Sequence, residues 1–361
     1  MPGAARPAPA AGGGALHLEH ARGAELGARD GHLHGDGPGR RHRGGAVRAR
    51  RRLEWRRARR GPHATAPHPD RRRRRARGDA VVGRTLSLAH LSLLDATPPE
   101  LVRAAGEAGF RSVGLRLHPA RPGEVPHPMH EGSPMLAETR ALMSALDVKV
   151  HDVEVVRLSA GFEARRFEPM LAVAASLGAR WLVVNGDDDD HARAAAHLAA
   201  LGEIAGAHGL SLGLEFMVYT AVPTLDAALR LVRETGRSNV HVLVDTLHFF
   251  RSGAAADHIA RTPGIARGWA QFSDAPARRH PALSPGEEAR AHRLLPGEGA
   301  LPLADVLDAV AADAMLSIEA PSALRRHHLG MARRAELAYT TARRWLDAVA
   351  GPQQEHAHAH H

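Results

Sequence analysis

The sequence predicts an α/β chain folded as a (β/α)8 barrel over residues 84–350, behind a basic N-terminal arm. Eight short apolar runs of strand length alternate with amphipathic helical stretches. Gly or Pro repeatedly follows the helical stretches, the punctuation expected where helices stop and parallel strands begin. Eight such units in about 265 residues match the usual size of this barrel.

Taken in order, "TLSLAHL" from Thr85 opens the series, and "PPELVRAAGEAG" follows as a helix with Pro at its start and Gly at its end. "SVGLRLH" from Ser112 leads to "SPMLAETRALMSAL", "VKVHDVEVV" from Val148 to "RRFEPMLAVAASLG", and "RWLVVNG" from Arg180 to "DHARAAAHLAALGEIAGAHG". "SLGLEFM" from Ser211 precedes "TLDAALRLVRETG", and "VHVLVDT" from Val240 precedes "ADHIARTPG". "RGWAQFSD" from Arg267 precedes "PLADVLDAVAA", and "AMLSIEAP" from Ala314 precedes the long final "ARRAELAYTTARRWLDAVAG". Strand, helix and strand in this order favour parallel pairing through right-handed crossovers. A doubly wound open sheet competes, but no Gly-rich phosphate-binding turn follows the first strand.

The net charge of +9 belongs to one end of the chain. Residues 1–83 hold 20 Arg, no Lys and 7 acidic residues, whereas residues 84–361 hold 28 basic and 32 acidic residues. The first segment mixes Gly, Ala, Pro, Arg and His without apolar periodicity, so burial cannot offset its ordering entropy and it is read as disordered. Its Arg runs could neutralise nucleic-acid phosphates. The preferred reading is translated upstream sequence from a misassigned start, because Lys149 is the sole Lys and the composition is that of GC-rich coding. The segment has no apolar stretch of signal-peptide type and no Ser before Ser87. No Cys is present, which excludes thiolate chemistry and Cys-ligated metals. No run of about 18 apolar residues suggests a membrane span. The chain is therefore expected to be cytoplasmic, without a membrane partner, and able to form a homo-oligomer.

In a barrel of this kind the C-terminal ends of the strands share one mouth, where chemistry is placed. Strands five to eight end in Glu215, Asp245, Gln271 and Glu319. Each alone reads more readily as a helix cap or an Arg partner. Together, three carboxylates on adjacent strands would repel unless a cation neutralised them. Carboxylates with an amide oxygen suit Mg or Mn better than Zn or Co, so one divalent ion is the expected cofactor.

These residues resemble the xylose-isomerase-like barrels, the group of sugar phosphate isomerases and epimerases, over residues 84–350. The resemblance implies a metal set of Glu215, Asp245, Gln271 and Glu319, and the Asp-x-x-His pairing of the group is matched by Asp245 and His248. "HRLLPGEG" is similar to the loop in which an Arg contacts substrate, here Arg293, with Glu298 in the Gly-rich turn that follows. One departure stands out. The sugar epimerases usually carry His at the third ligand position, and Gln271 within "QFSDAP" is similar instead to the bacterial dehydroshikimate dehydratases, in which the His of Asp-x-x-His serves as base.

The resemblance implies two mechanisms for a small polyhydroxylated substrate. In the preferred isomerase or epimerase reading, Glu215 and Glu319 remove and return an α-proton through an enediolate. In the dehydratase reading, of dehydroshikimate or inosose type, His248 takes the α-proton and a β-hydroxyl leaves. Arg293 would grip a carboxylate or phosphate in either case. Apurinic-site endonucleases share the barrel but add an Asp-x-His pair after the seventh strand, which "SDAPARRHPALSPGEEARAHRLLPGEG" lacks, so a nucleic-acid substrate is disfavoured. His90, His118, Glu154 and Arg157 end the first three strands, and of these His118 and Glu154 are taken as substrate contacts. "DDDD" at 187–190 reads as a helix start favoured by the dipole, and the "HAHAHH" tail in residues 351–361 is given no function.

Overall fold

Eight parallel strands close into a barrel in the order of the sequence. They are β1 (Leu86–Leu88), β2 (Ser112–Arg116), β3 (Lys149–Leu158), β4 (Trp181–Gly186), β5 (Ser211–Glu215), β6 (Val240–Asp245), β7 (Ile265–Phe272) and β8 (Met315–Ile318). The barrel closes where β8 pairs with β1, with Ser87 opposite Ser317. A computed structural model of the chain describes residue 81 and residues 83–351, apart from 122, 123 and 125. The expected arm up to residue 80 and the His-rich tail from residue 352 lie outside the described residues.

The helices lie where the sequence periodicity predicts them: α1 (Pro98–Ala108), α2 (Pro134–Leu146), α3 (Glu168–Ser176), α4 (His191–Ala207) and α5 (Leu225–Glu234). After them come α6 (Thr246–Arg251), α7 (Asp257–Arg261), α8 (Pro285–Ala291), α9 (Leu303–Ala309), α10 (Ala323–His328) and α11 (Met331–Ala350). Local chemistry fixes their starts. Thr97 and Glu100 form a reciprocal capping box on α1, and Ser284 and Glu287 form another on α8. Asp190, last of the acidic run, accepts a hydrogen bond from the backbone N–H of Arg193 and caps α4 as expected. The sequence reading missed α6, α8 and α10, because six or seven residues complete fewer than two turns and show no apolar period.

Alternation along the strands separates two apolar layers. Leu182 and Val184, Leu212 and Leu214, and Val242 and Val244 belong to the main core that the helices cover. Val155, Val183, Leu243 and Trp269 form a separate cluster with Ala120, which fills the barrel. Gly213 makes room for that plug, since an added Cβ would lie 2.9 Å from the Trp269 ring. Period two then dictates the next layer up. Asn185, Glu215, Asp245 and Gln271 each stand two residues beyond Val183, Gly213, Leu243 and Trp269, and so share one rim above an apolar floor.

Two findings correct or extend the sequence reading. Val81, placed in the arm, is buried in the core, and its carbonyl accepts from the backbone N–H of Arg84. The packed body therefore begins before residue 83, because one buried Val can be held by a single turn leading into β1. Asp152 on β3 is fully buried and neither carboxylate oxygen has a partner among the described residues. An added Cβ at Gly114 would lie 2.5 Å from Asp152 Oδ1, so this Gly makes the space the carboxyl occupies.

Burial, reinforced by Glu154, pushes the Asp152 carboxyl well above its ordinary range. A folded-state pKa raised in this way adds stability at low pH and loses it as pH rises above about 4, the unfolded value. Asp152→Asn is therefore expected to gain on the wild-type chain as pH goes from about 4 to neutral. Melting temperatures across that range check it; parallel curves for the two proteins would contradict it.

Candidate active site

Four buried side chains meet at the C-terminal rim of β5 to β8, and one arginine joins them. Asp245 ends β6 and caps α6: Oδ1 accepts from the backbone N–H of His248 at 3.0 Å. Its Oδ2 accepts from Arg293 Nη1 at 2.6 Å. The same Nη1 lies 3.1 Å from Glu319 Oε2. Glu319 Oε1 accepts from Gln271 Nε2 at 2.9 Å, and Glu215 Oε2 accepts from Asn185 Nδ2 at 2.8 Å. His248 Nε2 is 3.9 Å from Glu215 Oε1.

Electrostatics follow from crowding these charges away from water. Burial first, and then Asp245, push the Glu215 carboxyl up to about 7. Burial also pushes Glu319 well above the usual carboxylate range, against the opposing pull of Arg293. Asp245 moves the other way: burial would raise it, but Arg293, His248 and the backbone N–H hold it below its ordinary value. Burial draws His248 down to about 4, so the imidazole is neutral near pH 7.

The residues present fit a divalent cation. Glu215, Asp245 and Glu319 contribute three carboxylates, while Arg293 is the guanidinium in contact with them among the described residues. With one guanidinium for three carboxylates, Glu215 and Glu319 are pushed toward their protonated forms, and a divalent ion would supply the positive charge that keeps both ionised. Gln271 Oε1 is buried and accepts no hydrogen bond from the described residues. An acceptor of that kind needs a donor or a cation, and a hard divalent ion takes carboxylate and amide oxygens together. Ligand atoms of Glu215, Asp245 and His248 lie within 4.8 Å of one another.

A cavity of about 220 Å³ opens above this cluster, lined in part by Glu154, Asn185, Glu215, His248, Arg293 and Glu319. His248 is held against the Tyr219 ring, with centroids 5.6 Å apart. Glu154 accepts from the backbone N–H of His90 at 2.8 Å and from Arg116 at 3.0 Å, so it is both wall and strut. His90 is a structural residue: Nδ1 accepts from the backbone N–H of Arg116, and Nε2 lies 2.9 Å from the Ala96 carbonyl.

Arg293, expected to grip substrate, is fully buried. Its Nε donates to the Ala289 carbonyl at 2.6 Å, while Nη1 serves Asp245, Ser273 and the Glu319 carbonyl. With Nε and Nη1 committed to protein acceptors and Nη2 lying 3.4 Å from His248 Nε2, it orders the carboxylate cluster. Two isolated bridges, Asp274 to Leu294 and His292 to Ser322, flank it and fix its backbone.

Glu298 stands outside the cavity lining. It accepts from the Leu295 backbone N–H at 2.8 Å and pairs with Arg325, which staples its own loop. His118 is exposed beside Phe167 and likewise outside the lining. Asn185, Tyr219 and Asp274 were not singled out from the sequence. Asp274 accepts from the backbone N–H groups of Ala275, Gly297, Gly299 and Leu301, and so holds the loop that carries Arg293.

No curated protein matches the chain. Solved structures do share the fold. A xylose isomerase-like TIM barrel/4-hydroxyphenylpyruvate dioxygenase fusion protein is 24% identical, with a TM-score of 0.57 over 70% of this chain and 41% of that one. This chain therefore spans less than half of that fusion protein. The "probable 3-DHS dehydratase AsbF" of Bacillus anthracis is 17% identical, with a TM-score of 0.56 over 70% of this chain and 98% of that one. A D-psicose 3-epimerase solved with D-fructose is 16% identical, with a TM-score of 0.56 over 74% of this chain and all of that one. The family model described as xylose isomerase-like TIM barrel matches residues 102–349, most of the barrel and more than half of the sequence. With its closed eight-stranded barrel and its rim of carboxylates, the chain belongs to the xylose isomerase-like TIM barrel family.

Proposed function

We propose that the chain is a divalent-metal-dependent dehydratase: it removes the proton α to a carbonyl of a small hydroxylated substrate and expels a β-hydroxyl as water. The observation that carries this reading is a difference between two candidate bases. Glu319 has one carboxylate oxygen held by Gln271 and the other by Arg293, while His248 stands in the cavity wall with Nε2 3.4 Å from Arg293 Nη2 and 3.9 Å from Glu215 Oε1. The imidazole is less tied down than the Glu319 carboxylate.

Glu215, Asp245, Gln271 and Glu319 are the residues that would hold the ion. When bound there, a divalent ion such as Mg or Mn supplies positive charge to the carbonyl oxygen while the α-proton leaves. His248 takes the proton, with Asp245 fixing the start of α6 and Tyr219 fixing the ring. The C–H bond breaks, a C=C bond forms and the β C–O bond breaks; the transferred proton leaves with the hydroxyl as water. Asn185 orients Glu215 beside this event.

A second reading, epimerisation, is supported by Glu215 and Glu319 both lining the cavity from β5 and β8, which suits removal of a proton by one and its return by the other. Incubation of the metal-loaded chain with 3-dehydroshikimate, an inosose and a set of ketoses separates the two. Dehydration gives a product lighter by one water, with a new conjugated double bond. A product of unchanged mass and inverted configuration would replace this proposal with the epimerase. No helix among the described residues is long and apolar enough to cross a membrane, and a cytoplasmic setting is part of the proposal.

A further inference from the structure

The cavity carries more positive charge than its metal-ligand cluster uses. Besides Arg293, it is lined by Arg116, Arg121, Arg157 and Arg290. Arg116 is paired with Glu154 and Glu124, and Arg157 with Asp187. Arg121, on the loop after β2, and Arg290, on α8, have no carboxylate within ion-pair distance among the described residues. Arg290 lies over the face of Tyr219 at 5.7 Å, and Arg121 is near enough to feel the charges of Arg290 and Arg157, with Glu124 the opposing charge nearby, itself bound to the Ala120 backbone N–H and close to Arg116. Unpaired like charges gathered at the mouth of a cavity repel one another, and an anion placed between them removes that repulsion. Planar guanidinium groups in this setting match the paired oxygens of a carboxylate or phosphate.

We infer that Arg121 and Arg290 form an anion subsite, so that the substrate carries a carboxylate or phosphate at the end opposite its reacting carbon. Tyr219 is packed against both Arg290 and His248, so one aromatic ring separates the anion end from the proton acceptor. That separation suits a compact ring or short chain with the charged group at one end. The role expected of Arg293 thus passes to Arg121 and Arg290, which sit at the mouth and not within the carboxylate cluster. The placement of the reacting carbon rests on the proposed dehydratase reading; the subsite itself does not.

Calorimetric titration of the Mn-loaded full chain with shikimate, its neutral methyl ester and ribose 5-phosphate tests this. At least one anion is expected to bind roughly ten-fold or more tightly than the ester, less so in high salt. Preference for shikimate or for ribose 5-phosphate identifies the anion as carboxylate or phosphate. Arg290→Ala and Arg121→Ala should each weaken anion binding roughly ten-fold, with the ester unaffected and Arg290→Lys partly restoring affinity. Equal affinity for acid and ester with no preference for the phosphate, or a double variant that binds anions as the wild type does, would overturn the subsite. Titration of His248→Ala separates this from the reaction: anion binding survives there whether or not turnover does.

Discussion

Asp245→Ala is expected to cost the chain both its metal and about 3 to 5 kcal/mol of stability, the usual penalty when one partner of a buried ion pair is removed. The carboxylate serves three groups at once. It accepts from Arg293 Nη1 at 2.6 Å, caps α6 through the backbone N–H of His248, and forms one wall of the acidic cluster. Its loss leaves the buried Arg293 guanidinium facing Glu319 alone and frees the first turn of α6. Denaturant unfolding with and without Mn measures both parts. The wild-type chain should be stabilised by metal, whereas the variant should start lower and gain nothing. Asp245→Asn keeps the volume and the helix cap, so it is expected to fold better and still fail to hold the ion. Stabilisation of Asp245→Ala by metal to the wild-type extent would remove Asp245 from the ligand set.

His248→Ala is the second large effect. In the proposed dehydration it removes the proton acceptor, so turnover should fall roughly 100-fold or more with substrate affinity little changed. In the epimerase reading the imidazole only shapes the cavity, and the loss would appear mainly in KM. His248 touches Arg293 and Tyr219 and is nearly fully buried, so the variant also opens space. His248→Gln fills most of that space without supplying a comparable base, and it should share the turnover defect. Full turnover in His248→Gln would shift the proton transfer to Glu215 or Glu319.

The rim was legible in the sequence because the barrel imposes a rule that a linear reading can apply: the polar residue ending each apolar strand run points to the shared mouth. Glu215, Asp245, Gln271 and Glu319 follow it: Gln271 bonds Glu319, Arg293 links Glu319 to Asp245, and the ligand atoms of Glu215 and Asp245 lie close together with that of His248. What could not be read is pairing across distance. Arg293 stood out within its loop, but its partners lie 48 residues away at Asp245 and 26 away at Glu319, and nothing local says that they consume its donors. Glu298 was given to substrate for the same reason, because its staple to the Leu295 backbone N–H and to Arg325 is invisible in the sequence. Arg121 and Arg290 were not singled out, because neither ends a strand and their approach to one another is made only by the fold. Short helices hid α6 and α8, the elements that carry His248 and Arg290. Val81 was assigned to the arm by composition alone, which cannot register a single buried side chain.

Elemental analysis of the chain trimmed of residues 352–361 counts the metal held by the barrel rim alone, because the tail's histidines can hold metal on their own. About one divalent ion per wild-type chain is expected, and much less in Asp245→Asn and in Gln271→Leu, which removes the unpartnered Oε1. A full equivalent of metal retained in both variants would contradict that expectation.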